Sequence, residues 1–292
     1  MIKKKIYVIL IFNVLFSFAK CSICEEYNPE YFGYKKYIKG LSTGAEVIPW
    51  NTDEGIKMFN ESIKSGNAKP FFALAHHFAG QQTNSTCGPS SARIILEAIY
   101  ERQERKFPLD YENSFYKEKN GVDSGRFAIT ERNIFSVYKK GKDESKDYDI
   151  ISRRKMSEKH GKYCGGMDIE KLAEVIAMHK RISVKTKIVK LKHMKQSSID
   201  KFRKTVEEVT SNEGQYMIVN YYLKIMYDKD SGHFSPLVAY NKSKDMVLIM
   251  DVATHLGVWT WVKLEELYRD MESSLCPPEK CNRGYIIIKE RN

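Results

Sequence analysis

Residues 81–100 have the sequence QQTNSTCGPSSARIILEAIY, in which a polar loop leads through Cys87 into an apolar pattern. Pro89 suits the first turn of a helix, where its missing N–H group is not needed. We therefore predict that Cys87 lies at the N-terminus of a buried helix that includes residues 90–100. The apolar residues of this helix recur at steps of three and four, at Ala92, Ile95, Leu96 and Ile99.

A cysteine in this position has the chemistry of a nucleophile. The helix dipole and the free N–H groups of the first turn stabilise a thiolate, and the same N–H groups can hold an oxyanion. The alternative is a small buried hydrophobic residue, which is the commoner role of an arbitrary cysteine. The polar loop before Cys87 and the helix start after it favour the nucleophile.

A thiolate nucleophile needs a base within hydrogen-bond reach, and the base needs an acceptor that orients it. His233 opens a predicted strand, and Asp251 stands at the end of the next one, with a turn around residues 241–244 between them. In such a hairpin the start of one strand lies beside the end of its neighbour, so Asp251 comes within reach of His233. An ordinary strand-end residue is the alternative for Asp251. The separation of the cysteine and the histidine, 233 − 87 = 146 positions, lies within the range of about 130–150 of papain-type enzymes.

The other six histidines offer no such arrangement. His76 and His77 lie in an apolar segment, which is typical of core residues. The remaining four lie in charged or helical sequence without an acid placed to orient them: His160, His179, His193 and His255. We predict no protein-bound metal and no tightly bound cofactor.

The order of the periodic patterns predicts an α+β fold, in which a helical N-terminal half packs on an antiparallel sheet. Helical spacing covers residues 53–63, with Asp53 as N-cap, residues 168–179, and residues 198–210, with Ser198 as cap. Strand patterns cover residues 183–190, 216–222, 233–240, 246–251 and 284–289.

The first nineteen residues have the three parts of a secretory signal peptide: a lysine-rich start, an apolar run and a small-x-small site ending at Ala19. The run is short for a membrane span, and an uncleaved anchor is the alternative. We therefore predict a signal peptide over residues 1–19, an irregular lead-in over 20–45 and one catalytic domain over 46–292. The expected location is secreted or periplasmic, without stable membrane insertion after cleavage.

The formal charge of +11 becomes 11 − 3 = +8 when the three lysines of the signal are removed. Basic residues are interleaved with acids instead of forming a stripe flanked by aromatics, so we predict no nucleic-acid partner. The sequence leaves open whether the chain forms a homodimer.

The six cysteines need sorting, because export usually means an oxidising compartment. Cys276 and Cys281 could close a small loop, and Cys21 and Cys24 form a C-x-x-C that suggests a disulfide or simple disorder. Cys164 and Cys87 have no obvious partner in the sequence.

Several segments resemble the phytochelatin synthase family. Residues 232–240 (GHFSPLVAY) and 248–253 (LIMDVA) resemble its His–Asp hairpin, and residues 81–91 resemble its Q-x5-C-G-x-[AS]-S nucleophile segment. Residues 283–285 (RGY) match its closing strand. The resemblance spans roughly residues 40–290 and is weakest over 101–163. The resemblance implies a papain-like fold and membership of the papain-like cysteine peptidase superfamily.

The resemblance also implies a reaction. The cysteine attacks the Cys–Gly bond of glutathione, glycine leaves, and a γ-glutamylcysteinyl thioester forms, which passes to water or to a second glutathione to make phytochelatin. By position, Cys87 would be the nucleophile, His233 the general acid/base and Asp251 its orienter. Gln81 would donate a hydrogen bond to the oxyanion, and Arg283 is the candidate for binding the γ-glutamyl carboxylate. Heavy metals would enter as thiolate complexes of glutathione, as substrate.

The chain departs from the family pattern at several positions. Thr254 stands where the family commonly has Arg, and Val258 and Trp259 stand where it has Pro-Pro; a usual acidic residue is replaced around Cys276. These positions concern the second-substrate site and leave the three catalytic candidates in place. The chain ends at Asn292 without the Cys-rich C-terminal region of plant synthases. It thus resembles short, prokaryotic-type members, for which glutathione hydrolysis is the expected main activity.

Two further functions stay open at this point. One is a papain-like peptidase that processes leader peptides, since that class shares a Gln before a C-G-P segment. The other is a secreted binding protein with a catalytically degenerate site on an inherited papain-like frame.

Overall fold

The computed structural model describes residues 46–104, 129–131, 134, 155–156, 163–164, 166–227, 231–272 and 282–291. The predicted signal peptide and lead-in lie outside these residues, and so do Cys21, Cys24, Cys276 and Cys281. The domain boundaries and the disulfides therefore stay predictions. Among the described residues, each helix is too short or too polar to cross a bilayer.

Helices and short 3-10 turns alternate with strands along the chain. The helices are α1 (Asp53–Lys64), α2 (Lys69–Leu74), α3 (Cys87–Arg102), α4 (Ile169–Ala177), α5 (Gln196–Ser211), α6 (Lys224–Tyr227) and α7 (Leu264–Asp270), with 3-10 turns at Ala75–His77 and Leu191–His193. The strands are β1 (Val47–Pro49), β2 (Lys155–Met156), β3 (Tyr163–Cys164), β4 (Ile182–Ile188), β5 (Gln215–Tyr222), β6 (Gly232–Asn241), β7 (Met246–Ile249), β8 (Thr260–Lys263) and β9 (Gly284–Glu290).

Seven of these strands form one sheet in the order β1-β8-β7-β6-β5-β9-β4, and all neighbouring pairs are antiparallel. Strands β5 to β8 pair in chain order as a meander, of which β8 was not predicted, and the predicted turn after Asn241 connects β6 to β7. Strands β2 and β3 pair separately. The α+β prediction is confirmed.

Helices cover both faces of this sheet, so its central strands are buried on both sides. On one face, α3 and α4 pack with residues such as Phe234 and Ile286. On the other, α5 and α7 pack with residues such as Tyr221 and Leu237. This explains why every residue of β6 after Gly232 is buried instead of alternating with exposed residues.

The antiparallel order also decides where the functional residues meet. Strand β6 begins at Gly232, β7 runs in the opposite direction and ends at Ile249, and β9 begins at Gly284, parallel to β6 and one strand beyond β5. The start of β6, the end of β7 and the start of β9 therefore share one edge of the sheet. His233, Asp251 and Arg283 stand at this edge.

Local details differ from the sequence-based predictions. Thr52, not Asp53, caps α1: its Oγ1 accepts the Gly55 N–H at 3.1 Å, while Asp53 in the first turn faces the positive end of the helix dipole. Helix α5 begins at Gln196, so the predicted cap Ser198 lies inside it. His76 is exposed, because the 3-10 turn that follows α2 carries it away from the core.

Candidate active site

Cys87 is the first residue of α3, as predicted, and its side chain is 7% exposed and not disulfide-bonded. Gly88 packs closely on its neighbours: a Cβ added to it would contact Phe234 and Leu172, each at 3.4 Å. Phe234 directly follows His233 in β6. Packing of the helix start on this strand brings Cys87 near the His233 ring, whose pKa it raises.

His233 and Asp251 form a buried hydrogen-bonded pair. His233 Nε2 donates to Asp251 Oδ1 at 2.7 Å, and the residues are 3% and 1% exposed. The same carboxylate oxygen accepts the Ala253 N–H at 2.8 Å and faces the Ser235 hydroxyl at 3.4 Å. The Tyr221 ring stands edge-on to the imidazole at a centroid distance of 5.8 Å. The imidazole is thus held by one charged acceptor and one perpendicular ring, and Cys87 lies close enough to affect its charge.

The charges of this cluster favour a protonated imidazole. Burial of the His233 ring opposes its charge, but Asp251 and Cys87 outweigh burial and raise the pKa of His233 to about 10. Burial, with the nearby Asp251 charge, raises the pKa of the Tyr221 phenol well above its usual value, so this hydroxyl stays neutral. At neutral pH the site therefore holds an imidazolium beside the sulfur that begins α3.

The loop before Cys87 is tied to the strand end that carries Asp251. The Gln81 N–H donates to the Val252 carbonyl at 2.8 Å, one residue after Asp251. Its side-chain Nε2 donates to the Thr83 carbonyl at 2.7 Å, and its buried Oε1 has no hydrogen-bond partner among the described residues. A carboxamide has two N–H donors, so one remains for another acceptor. The structure thus ties Gln81 to the strand end that carries Asp251, with one of its two side-chain N–H donors used by the loop.

Glu131 is a residue of this site that the sequence reasoning missed. It is 2% exposed, and its Oε1 accepts the Gln82 N–H at 3.0 Å. Burial raises the pKa of the Glu131 carboxyl, and the neighbouring Thr86, Gln82 and Ser90 partly oppose that rise. The carboxyl therefore lies against the loop that leads into α3. It comes from the charged region 101–163, where no periodicity marked it.

Arg283 is 3% exposed and lies beside the start of β6. Its guanidinium carbon is 4.8 Å from the centroid of the Tyr222 ring, and a Cβ built on Gly232 would lie 3.4 Å from its Nε. Gly284 fixes this position, since its φ is +151° and a Cβ there would be 1.9 Å from the Lys187 carbonyl oxygen. Arg283 thus neighbours His233 through Gly232, at the sheet edge shared by the site.

Two of the residues that depart from the family pattern, Thr254 and Trp259, pack against the segment that precedes Gln81. A Cβ on Gly80 would meet Thr254 Oγ1 at 2.6 Å, so Thr254 packs directly on the backbone before Gln81. Trp259 is in contact with the rings of Phe78, Phe71 and Trp50, at centroid distances of 4.9, 5.7 and 5.2 Å.

A buried sulfur at a helix start, an imidazole beside it and a carboxylate behind the imidazole can together carry out acyl transfer. The chain matches the phytochelatin synthase family model over residues 39–285. The chain belongs to the phytochelatin synthase family. The match covers both the loop with Cys87 and the hairpin with His233 and Asp251.

Individual relatives are distant in sequence. The chain is 26% identical over 247 residues to glutathione gamma-glutamylcysteinyltransferase 1 of Arabidopsis thaliana, covering 83% of this chain and 41% of that protein. It is 26% identical to the second Arabidopsis transferase of that name, over 86% of this chain and 46% of the relative. The corresponding Schizosaccharomyces pombe protein is 22% identical, over 84% and 49%. The chain thus spans less than half the length of these curated relatives.

Proposed function

We propose that this protein is a cysteine-dependent acyltransferase and hydrolase that cleaves the Cys–Gly bond of glutathione through a thioester on Cys87. The observation that carries the proposal is the buried cluster in which His233 lies near Cys87 and is hydrogen-bonded to Asp251 at 2.7 Å. The names of the relatives, glutathione gamma-glutamylcysteinyltransferases, support glutathione as the substrate.

In the first half of the reaction, the Cys87 sulfur attacks the carbonyl carbon of the cysteinyl residue of glutathione. The imidazolium of His233 donates its proton to the nitrogen of glycine as the C–N bond breaks, which leaves a neutral imidazole and a γ-glutamylcysteinyl thioester. Asp251 holds the ring orientation and stabilises its charged form.

In the second half, the neutral His233 accepts a proton from water or from the amino group of a second glutathione. The resulting nucleophile attacks the thioester carbonyl, the C–S bond breaks, and the Cys87 thiolate is restored. Water gives γ-glutamylcysteine, and glutathione gives phytochelatin. A heavy-metal thiolate of glutathione would enter as one form of the substrate.

Two further residues have proposed roles at this site. Gln81 uses its remaining N–H donor, together with the Cys87 backbone N–H, to stabilise the oxyanion that forms on the carbonyl oxygen. Arg283 binds a substrate carboxylate, for which its guanidinium offers a bidentate geometry. Its position at the shared sheet edge, beside Gly232, supports this role.

The test is glycine release from glutathione by the purified protein, followed with and without a second thiol acceptor. We expect release by the wild type and none by Cys87→Ala or His233→Ala. His193→Ala is the matched control, because it removes a histidine that lies on the 3-10 turn Leu191–His193, away from the three candidates along the chain. Equal glycine release by Cys87→Ala would refute the proposal.

The same preparation separates the competing functions. A leader-processing peptidase would cleave a double-glycine leader peptide and leave glutathione intact. A degenerate binding protein would fail to form an iodoacetamide adduct on Cys87 near neutral pH, where an activated thiolate reacts fast. Either outcome would replace the proposed function.

A further inference from the structure

A second group of chemically active side chains lies where the 3-10 turn Ala75–His77 meets the last turn of α3. His76 Nε2 is 2.8 Å from Glu101 Oε2, and His77 Nε2 is 3.0 Å from the same oxygen. The two imidazole rings are 3.8 Å apart at their centroids. Ligand atoms of the three residues all lie within 4.8 Å of one another.

This spacing is close to that of a metal site. Zinc binds imidazole nitrogen and carboxylate oxygen at about 2.0–2.2 Å in tetrahedral geometry, which separates neighbouring ligand atoms by roughly 3.3 Å. The two Nε2–Oε2 distances of 2.8 and 3.0 Å therefore need to grow by only a few tenths of an ångström. His76 and Glu101 can move by that amount, because their side chains are 59% and 51% exposed.

The surroundings of His77 support the same reading. Glu97 Oε2 lies 3.7 Å from His77 Nδ1, on the side of the ring opposite to the nitrogen that faces Glu101. Histidine ligands usually direct their second ring nitrogen to a carboxylate, which orients the ring and makes it a better ligand. Arg93 holds both parts of this arrangement: it donates to Glu97 at 3.2 Å and to the His77 carbonyl at 3.1 Å.

We propose that His76, His77 and Glu101 form a binding site for a divalent metal ion of the zinc class. Two imidazoles and one carboxylate suit zinc and neighbouring first-row metals, whereas a site for calcium or magnesium would be built from oxygen ligands. Three protein ligands at an exposed position leave the fourth position to water or to a metal-bound ligand.

This site is separate from the proposed glutathione chemistry. None of its ligands belongs to the Cys87, His233 and Asp251 cluster, and its test needs no turnover of glutathione. Along the chain, His77 precedes Gln81 by four residues. The sequence predicted no protein-bound metal, and this proposal departs from that prediction. Glu101 lies near the end of α3 and the two histidines before its start, so no ligand motif joins them in sequence.

The experiment is a titration of the full-length Cys87→Ser protein with Co²⁺, followed by absorption spectroscopy, and then competition by Zn²⁺. Removing the active-site sulfur keeps that thiolate out of the measurement. We expect one ion with a spectrum of nitrogen and oxygen ligands and without a thiolate-to-cobalt charge-transfer band. Glu97→Gln changes the carboxylate behind His77 and should weaken Co²⁺ binding roughly 10–100-fold, as is typical of such a loss. Glu101→Gln changes a ligand and should weaken Co²⁺ binding by more than that.

Glu101→Gln is the decisive variant, since its exposed side chain can be changed without disturbing the core. His193→Ala, which removes a histidine outside the cluster, should bind Co²⁺ like the parent. The proposal is overturned if the parent protein binds no Co²⁺. It is equally overturned if binding shows thiolate charge transfer, or if Glu101→Gln and His77→Ala bind as tightly as the parent. The two histidine–glutamate contacts would then be ordinary surface hydrogen bonds.

Discussion

The charge of Asp251 should control the protonation of His233, and Asp251→Asn tests this directly. In the wild type the imidazole pKa rises to about 10, because the Asp251 carboxylate and the Cys87 sulfur outweigh burial of the ring. An opposite charge within about 4–6 Å shifts a pKa by roughly 1–3 units. Asp251 is 2.7 Å away and 1% exposed, so its effect should lie in the upper part of that range.

Replacing this carboxylate with an amide keeps the shape and removes the charge. We therefore expect the pKa of His233 to fall by about 2–3 units, which corresponds to roughly 3–4 kcal/mol of lost preference for the imidazolium. The pKa falls because the Asp251 carboxylate stabilises the imidazolium and keeps it protonated to higher pH. Without that carboxylate, His233 loses its proton at a lower pH. Near neutral pH, Asp251→Asn should thus hold a mixture of neutral and charged rings.

The assay is ¹⁵N NMR titration of the imidazole nitrogens in protein labelled at histidine, with the His233 signals assigned by comparison with His233→Gln. Ser235→Ala is the matched control: it removes a hydroxyl 3.4 Å from the same carboxylate oxygen but leaves the charge. Its midpoint should stay within about 0.5 pH unit of the wild type. A folded Asp251→Asn protein that titrates at the wild-type midpoint would refute the electrostatic account of the site.

Three further predictions follow from the structure and one from the sequence. Gln81→Ala should reduce kcat for glycine release by about 10²–10³-fold with little change in KM, measured by steady-state kinetics, and an unchanged kcat would exclude an oxyanion donor here. Glu131→Gln should lower kcat/KM about tenfold, because the Gln82 N–H loses its carboxylate acceptor. If the variant only lost stability and kept the wild-type kcat/KM when folded, this role of Glu131 would be wrong. Gly284→Ala should destabilise the fold by at least about 2 kcal/mol in denaturant unfolding, because its Cβ would meet the Lys187 carbonyl at 1.9 Å; wild-type stability would contradict this. When the protein is expressed with export, its intact mass should match a mature chain that begins at Lys20. Retention of residues 1–19 would favour the uncleaved anchor.

The parts of the site that follow from local periodicity could be predicted from the sequence. The helix that starts at Cys87 has its own proline and apolar spacing, and the β6–β7 hairpin is defined by a short turn between two apolar runs. A hairpin brings the start of one strand near the end of the next, so the proximity of His233 and Asp251 could be inferred before any tertiary contact was known.

Other parts depend on contacts between distant segments, which no local pattern encodes. Glu131 reaches the Gln82 N–H from a charged region without periodicity, and Glu101 meets His76 only because α3 packs against the turn after α2. Strands β1 and β8 are only three and four residues long, too short for a strand period to stand out. The cap of α1 shows the same limit on a smaller scale, since Thr52 and Asp53 are both good capping residues and only the backbone geometry distinguishes them.

The central claim is that Cys87 carries the γ-glutamylcysteinyl group during the reaction. Its most direct test is the intact mass of the protein after brief incubation with glutathione and acid quenching, which preserves a thioester. We predict an added mass of one γ-glutamylcysteinyl group, located on the peptide that contains Cys87, removed by hydroxylamine and absent from Cys87→Ser. Glycine release without this adduct in the wild type, or with an adduct on another residue, would contradict the proposed mechanism.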